Sequence, residues 1–157
     1  MTPAINVLKK HKADHKIHRY SPQGSSESYG EEAAKALNID ASRVFKTLVV
    51  ELNDDPKKLA VGVVPVNHQL DLKLIAKAAG AKKVQMANPV NAEKATGYVV
   101  GGISPLGQKK QLPIVLDSSI QNFSTVFFSA GKRGLQIELQ PDMLIKLSKG
   151  KIADIAR

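Results

Sequence analysis

His11, His15 and His18 crowd the start of the chain, and the spacing of the first two places both imidazoles on one face of a helix, as zinc sites require. The zinc-protease pattern needs Glu immediately after the first His, where Lys12 stands, and Asp14 with the strand that follows breaks the helix near His15. These histidines are therefore expected on the surface, with no metal, and His68 stands alone in a loop. Ser104, in Gly102-Ile103-Ser104-Pro105-Leu106-Gly107, fails as a nucleophile elbow: Leu106 occupies the second glycine position and Pro105 opposes the helical turn after the serine. Gly131-Lys132 resembles the end of a phosphate-binding loop, but Val126 replaces its first glycine and Arg133 its Ser or Thr. Cysteine is absent, which excludes a thiol nucleophile, a disulfide framework and a Cys-ligated metal.

Two local features survive. Gly101 to Gly107 joins glycines, which let backbone approach a ligand closely, to a stiffening proline, and so can present N–H groups to an anion or a carbonyl oxygen; it can equally be a plain structural loop. Lys46 heads the apolar strand Phe45 to Leu52, where a lysine either carries its ammonium to solvent or turns it into a site. Position alone decides neither.

The elements that must hold these residues read clearly. Thr2-Pro3 starts a helix to about Lys12 with Ile5 and Leu8 inward, Ile17 to Tyr20 is a short strand, and Ser21 to Ser28 is a Ser/Gly-rich loop before a helix over Glu31 to Leu37. Phe45 to Leu52 and Lys58 to Val66 form an antiparallel hairpin around Asn53-Asp54-Asp55-Pro56. Asp71 caps a helix ending at Gly80, and Asn88-Pro89 starts another ending at Gly97. Strands are predicted at Lys83 to Met86, Tyr98 to Gly101, Pro113 to Asp117, Thr125 to Ser129 and Leu135 to Leu139, with Ala130 to Gly134 as a hairpin loop and a last helix from Pro141 to Gly150. Hairpins mixed with helical crossovers predict one α+β domain over residues 1–157, built on a mixed, strongly curved sheet.

Lys plus Arg number 23 against 14 Asp plus Glu, a net charge of +9 that attracts polyanions, while aromatics are only 4% of the chain. Phosphate contact is thus expected over base stacking. The basic pairs Lys9-Lys10, Lys57-Lys58, Lys82-Lys83, Lys109-Lys110 and Lys132-Arg133 are spread along the chain, so each reads as a solvated face unless the fold gathers them. No apolar run approaches the roughly 20 residues that span a bilayer, and the start lacks the regions of a secretory signal. A soluble cytoplasmic protein with no membrane partner is expected.

Taken together, Val44 to Val50, Gln69-Leu70-Asp71-Leu72-Lys73, Thr96 to Lys110 and Ser129 to Leu135 resemble the YbaK/EbsC family, and the likeness runs from Thr2-Pro3-Ala4 to the last residues. Gly-Gly-Ile-Ser-Pro-Leu-Gly-Gln-Lys-Lys carries most of its specificity. The resemblance implies a curved, barrel-like mixed sheet flanked by helices and a trans-editing enzyme related to the editing insertion of bacterial prolyl-tRNA synthetase, one that clears cysteine from Cys-tRNA(Pro) without cofactor or metal. It implies further that the substrate's own thiol attacks its ester carbonyl and leaves as a thiolactone.

On this resemblance Lys46 holds the 3′ end of tRNA or its terminal phosphate, Gly101 steadies the carbonyl or developing oxyanion through its N–H, and Tyr20, Tyr29, Thr47, Gly102 and Ser129 bind the substrate in the aminoacyl pocket. The expected partners are tRNA and prolyl-tRNA synthetase. Two positions depart from the family pattern: Tyr29 stands where Phe also occurs, and Gln136 where Asp is expected, which removes a carboxylate partner for the substrate ammonium. Two other functions compete, a deacylase for alanine or another small residue that activates water, and a noncatalytic tRNA-binding module.

Overall fold

A computed structural model describes residues 1–22 and 29–157. The first helix, α1 (Pro3–Lys10), begins where Thr2 accepts a hydrogen bond from the Ile5 N–H at 3.3 Å and Pro3 supplies a preset first turn; Ala4, Ile5 and Leu8 are buried. Strand β1 (Lys16–Arg19) and helix α2 (Tyr29–Ala36) follow. Most of the predicted Ser21 to Ser28 loop lies outside the described residues.

The predicted hairpin forms as β2 (Val44–Leu52) and β3 (Asp55–Pro65), its turn confined to Asn53 and Asp54, whose left-handed φ of 53° and 58° matches the twist of a two-residue hairpin. Helix α3 (Leu72–Ala79) is capped by Asp71 and closed by left-handed Gly80, and after β4 (Val84–Met86) helix α4 (Pro89–Thr96) is capped by Asn88 and closed by Gly97. Strands β5 (Ile114–Asp117), β6 (Val126–Lys132) and β7 (Leu135–Leu139), helix α5 (Pro141–Ser148) and β8 (Lys151–Ala153) complete the chain.

The strands form one mixed sheet in the order β1-β7-β6-β2-β3-β5-β8, with β4 also on β2. It is curved but unclosed: β1 and β8 end the path and do not pair, so the barrel-like expectation stops short of a barrel. One face packs against α1, α4, α5 and the 98–112 strap around Phe45, Val61, Phe128 and Ile137. The other is covered by α3, whose Ile75 and Ala76 pack with Val50, Ala60 and Val64, and by α2, whose Ala34 packs with Val44, Val66 and Phe127. No helix of the described residues is long and apolar enough to cross a membrane.

Two sequence expectations need correcting. Tyr98 to Gly101 is a turn, because left-handed Gly97 and Gly101 bracket it and its amides go elsewhere: Val100 N–H to the Glu93 carboxylate at 2.8 Å, Gly102 N–H to the Val99 carbonyl at 2.9 Å. Ala130 and Gly131 belong to β6 as a bulge, which leaves Arg133-Gly134 as the hairpin turn. Strand β8 escaped prediction because three residues carry too little pattern; its partner β5 supplies the context.

Asp117 ties the end of the chain to this frame. Its carboxylate accepts from the Ile155 and Ala156 N–H groups at 3.0 and 3.1 Å and from the Ser119 hydroxyl at 2.6 Å. Burial alone would raise its pKa, but these donors outweigh burial and hold it below the ordinary aspartate value. The resulting stability is present above the unfolded pKa and is lost as pH falls through the lowered folded one. Asp117→Asn should therefore cost about 2 kcal/mol near neutrality, by analogy with charged hydrogen bonds, and the gap should shrink in urea titrations repeated at acid pH.

Candidate active site

The site is a break in the sheet. Strand β2 pairs with β3 along one edge, but its other edge meets β6 only at Val44↔Phe127 and Phe45↔Phe128, and β4 only from Val50 to Leu52. Lys46, Thr47 and Leu48 thus have no strand beside them there, and a cavity of about 620 Å³ fills the gap. Because strand side chains alternate, Lys46 and Leu48 enter it from one face of the sheet, Phe45, Thr47 and Val49 from the other.

Lys46, Gly101, Tyr20, Tyr29, Thr47 and Ser129 all line this cavity, although they come from five separate stretches of chain. Gly102 does not. It sits one layer behind the wall, its carbonyl accepting from the Ser129 hydroxyl at 3.0 Å and its Cα facing the Lys132 backbone so closely that a Cβ would lie 3.2 Å from the Lys132 Cα. Ser129 in turn accepts from the Gly131 N–H at 3.0 Å, so its one proton is committed and only an acceptor lone pair is left for a ligand.

Lys46 is the decisive side chain. Half-buried, it makes no hydrogen bond or ion pair with another described residue, and burial draws its ammonium below the ordinary lysine value, with Glu31 partly offsetting that effect. An anion beside it would reverse the shift. Thr47 Oγ1 and Gln136 Oε1 are buried with no hydrogen-bond partner among the described residues. Both residues line the cavity, so a ligand bearing polar groups can satisfy them. Burial pushes the Tyr20 hydroxyl up, which keeps it protonated and able to donate.

Gly101 has a φ of 97°, and its missing side chain makes room for the Tyr29 ring: a Cβ would lie 2.5 Å from Tyr29 Cε2. The other support of that ring is Arg133, whose guanidinium stacks 4.7 Å from its centroid while bonding the Glu32 carboxylate at 2.8 and 3.0 Å. The strap beyond Gly101 is fixed to the core, with the Tyr98 hydroxyl donating to the Leu106 carbonyl at 2.6 Å and burial raising its pKa to about 12. The 101–107 loop is thus structural along most of its length and reaches the cavity at Gly101 and Ile103. No local pattern assigns Arg133 this support of the Tyr29 ring, because its partner Glu32 lies 101 residues away.

The histidines go to separate partners. His11 bonds the Val7 carbonyl and His15 that of Ala13; His15 and His18 depart from the surface expectation in being partly buried, His18 with Nε2 2.8 Å from Glu138. None of them lines the cavity, and no Asp or Glu does among the described residues.

The profile of the aminoacyl-tRNA editing domain matches residues 26–147. The chain belongs to that family. This editing domain is 42% identical, over 154 residues that cover 98% of it and 92% of its relative, to EbsC of Enterococcus faecalis (strain ATCC 700802 / V583), a protein named as a proposed Cys-tRNA(Pro)/Cys-tRNA(Cys) deacylase. A proline–tRNA ligase of Shouchella clausii (strain KSM-K16) is 33% identical over 104 residues, which are 66% of the editing domain and 18% of the ligase. Among solved structures, that of a proposed trans-editing enzyme for prolyl-tRNA synthetase superposes with a TM-score of 0.83 over 99% of the editing domain and 95% of its own chain, at 23% identity, a likeness of fold.

Proposed function

We propose that the protein is a trans-editing deacylase that releases cysteine from Cys-tRNA(Pro) in the cytoplasm, with the substrate supplying its own nucleophile. The observation that carries this reading is the cavity lining: Lys46, an accessible glycine backbone and hydroxyls are present, while Asp, Glu, His and Cys are absent among its described residues. Such a lining positions and polarises; it offers no ordinary base to activate water.

In this reading the Lys46 ammonium holds the phosphate of the terminal nucleotide, and the Gly101 N–H donates to the carbonyl oxygen as it gains charge. Thr47 Oγ1 and Gln136 Oε1 accept from the substrate ammonium, the neutral amide of Gln136 serving where a carboxylate would form an ion pair. The cysteine sulfur forms a bond to its own carbonyl carbon, the carbon–oxygen bond to the ribose breaks, and the thiol proton passes to the departing ribose oxygen. The products are a thiolactone and uncharged tRNA. Selection of proline tRNA falls to a partner, prolyl-tRNA synthetase, because phosphate contacts carry little sequence information.

A panel of one tRNA charged with cysteine, serine, alanine or proline tests the reading. Cysteine should leave faster by more than the roughly 10–200-fold that pocket size can supply. Comparable release of alanine would mean activated water; binding with no cleavage of any ester would mean a binding module. Affinity for tRNA should fall steeply across a salt series, since a chain of net charge +9 that contacts phosphates releases counterions on binding.

A further inference from the structure

Apart from Met1, the exposed large apolar residues of the described chain are Met86, Val90, Val99 and Val100, at 48%, 58%, 72% and 47% exposure. They share one place. Met86 and Val100 line the cavity, and Val90 and Val99 adjoin the lining residues Pro89 and Val100 in the chain. Single exposed aliphatic side chains are ordinary, but a group at the mouth of one cavity forms a contact surface.

This lip is held rigidly. Besides the Val100 and Gly102 amide bonds already described, the Lys109 and Lys110 N–H groups donate to the carbonyls of Thr96 and Ala95 at 2.9 Å, which binds the strap to the end of α4. The same stretch is basic: from residue 82 to 110 it carries exposed Lys82, Lys83, Lys94, Lys109 and Lys110 against the single acid Glu93, whose carboxylate is engaged by Val100. Lys83 is turned to Asp54 at 3.1 Å. Val90 and Lys94 lie one turn apart on one face of α4, so an apolar side chain and an amine are presented together.

We infer that this lip docks the unpaired 3′-terminal nucleotides of tRNA, with base faces on Met86, Val90, Val99 and Val100 and phosphates toward Lys94 and Lys109. The inference rests on the proposal that the cavity receives the aminoacyl end, because the nucleotides esterified to that amino acid must then cross the lip. A duplex hides its base faces, whereas a single strand offers flat apolar faces on a polyanionic backbone, the chemistry this surface matches. The contacts are aliphatic, so the surface seats one or two bases without preference among them.

The test measures binding of uncharged tRNA, intact and trimmed of its last three nucleotides, to the wild type and to the double variant Val90→Ser/Val99→Ser, neither residue lining the cavity. The wild type should bind the intact form about tenfold more tightly, and the variant should lose most of that difference while binding trimmed tRNA unchanged. Three results would each overturn the inference: no difference in the wild type, a full difference retained by the variant, or equal loss for both tRNA forms. Binding of uncharged tRNA does not depend on cleavage. Failure of the deacylase proposal in the charged-tRNA panel is therefore distinguishable from failure of this one.

Discussion

Lys46→Met should lower release of cysteine from Cys-tRNA(Pro) by about a hundredfold or more, the scale seen when one preorganised electrostatic contact is removed, while the protein stays folded with an unchanged or higher melting temperature. Both halves follow from one fact of geometry. Lys46 enters the gap between β6 and β4 on an unpaired stretch of β2, so its charge is drawn out of water without a described hydrogen-bond or ion-pair partner. On the proposed reading, a group in that state serves a ligand at the expense of the fold.

The pH dependence has a definite sign. A lysine whose folded pKa lies below its unfolded value destabilises the fold while protonated; the penalty is complete below the folded pKa and fades as pH rises toward the unfolded one. The advantage of methionine, which keeps the aliphatic stem without the charge, should therefore narrow in melting curves taken at increasingly alkaline pH. Lys46→Arg retains charge but spreads it over a planar fork, and should keep only part of the activity. Full activity in Lys46→Met would remove the phosphate role, and unfolding of that variant would make the lysine a structural residue.

Local chemistry explains why much of this was legible in the sequence. The caps at Thr2, Asp71 and Asn88 and the left-handed stops at Gly80 and Gly97 act within a few residues, and each lies where the sequence placed it. The Tyr98 to Gly101 error has the opposite origin. Tyr98-Val99-Val100 has the composition of a strand, but Glu93 and the Val99 carbonyl take the amides that a neighbouring strand would have bonded. Residue type and loop chemistry single out Lys46 and Gly101, yet what opens the cavity that both line is the failure of β6 to follow β2 beyond Phe45, a long-range feature with no sequence period. Arg133 illustrates the same limit: its stack on Tyr29 supports the wall at Gly101, and nothing near it in the chain announces Glu32 as partner.

Methylating the substrate sulfur should abolish turnover, with cysteinyl-tRNA cleaved at least about a hundredfold faster than its S-methyl counterpart, because an intramolecular nucleophile gains its rate from proximity that no bulk water replaces. The cavity, at about 620 Å³, has room for one further methyl group, so exclusion of the blocked substrate is not the expected cause. Competition binding against uncharged tRNA measures that directly. If the S-methyl substrate binds like the natural one and is not cleaved, sulfur is the attacking atom and the lining of Lys46, Gly101, Thr47 and Gln136 acts by orientation and charge. Cleavage at a rate near that of the free thiol would sink this mechanism and turn the search to a water activator. Lys46 would then be the first residue to test, since burial has already moved its pKa toward the range where an amine accepts a proton.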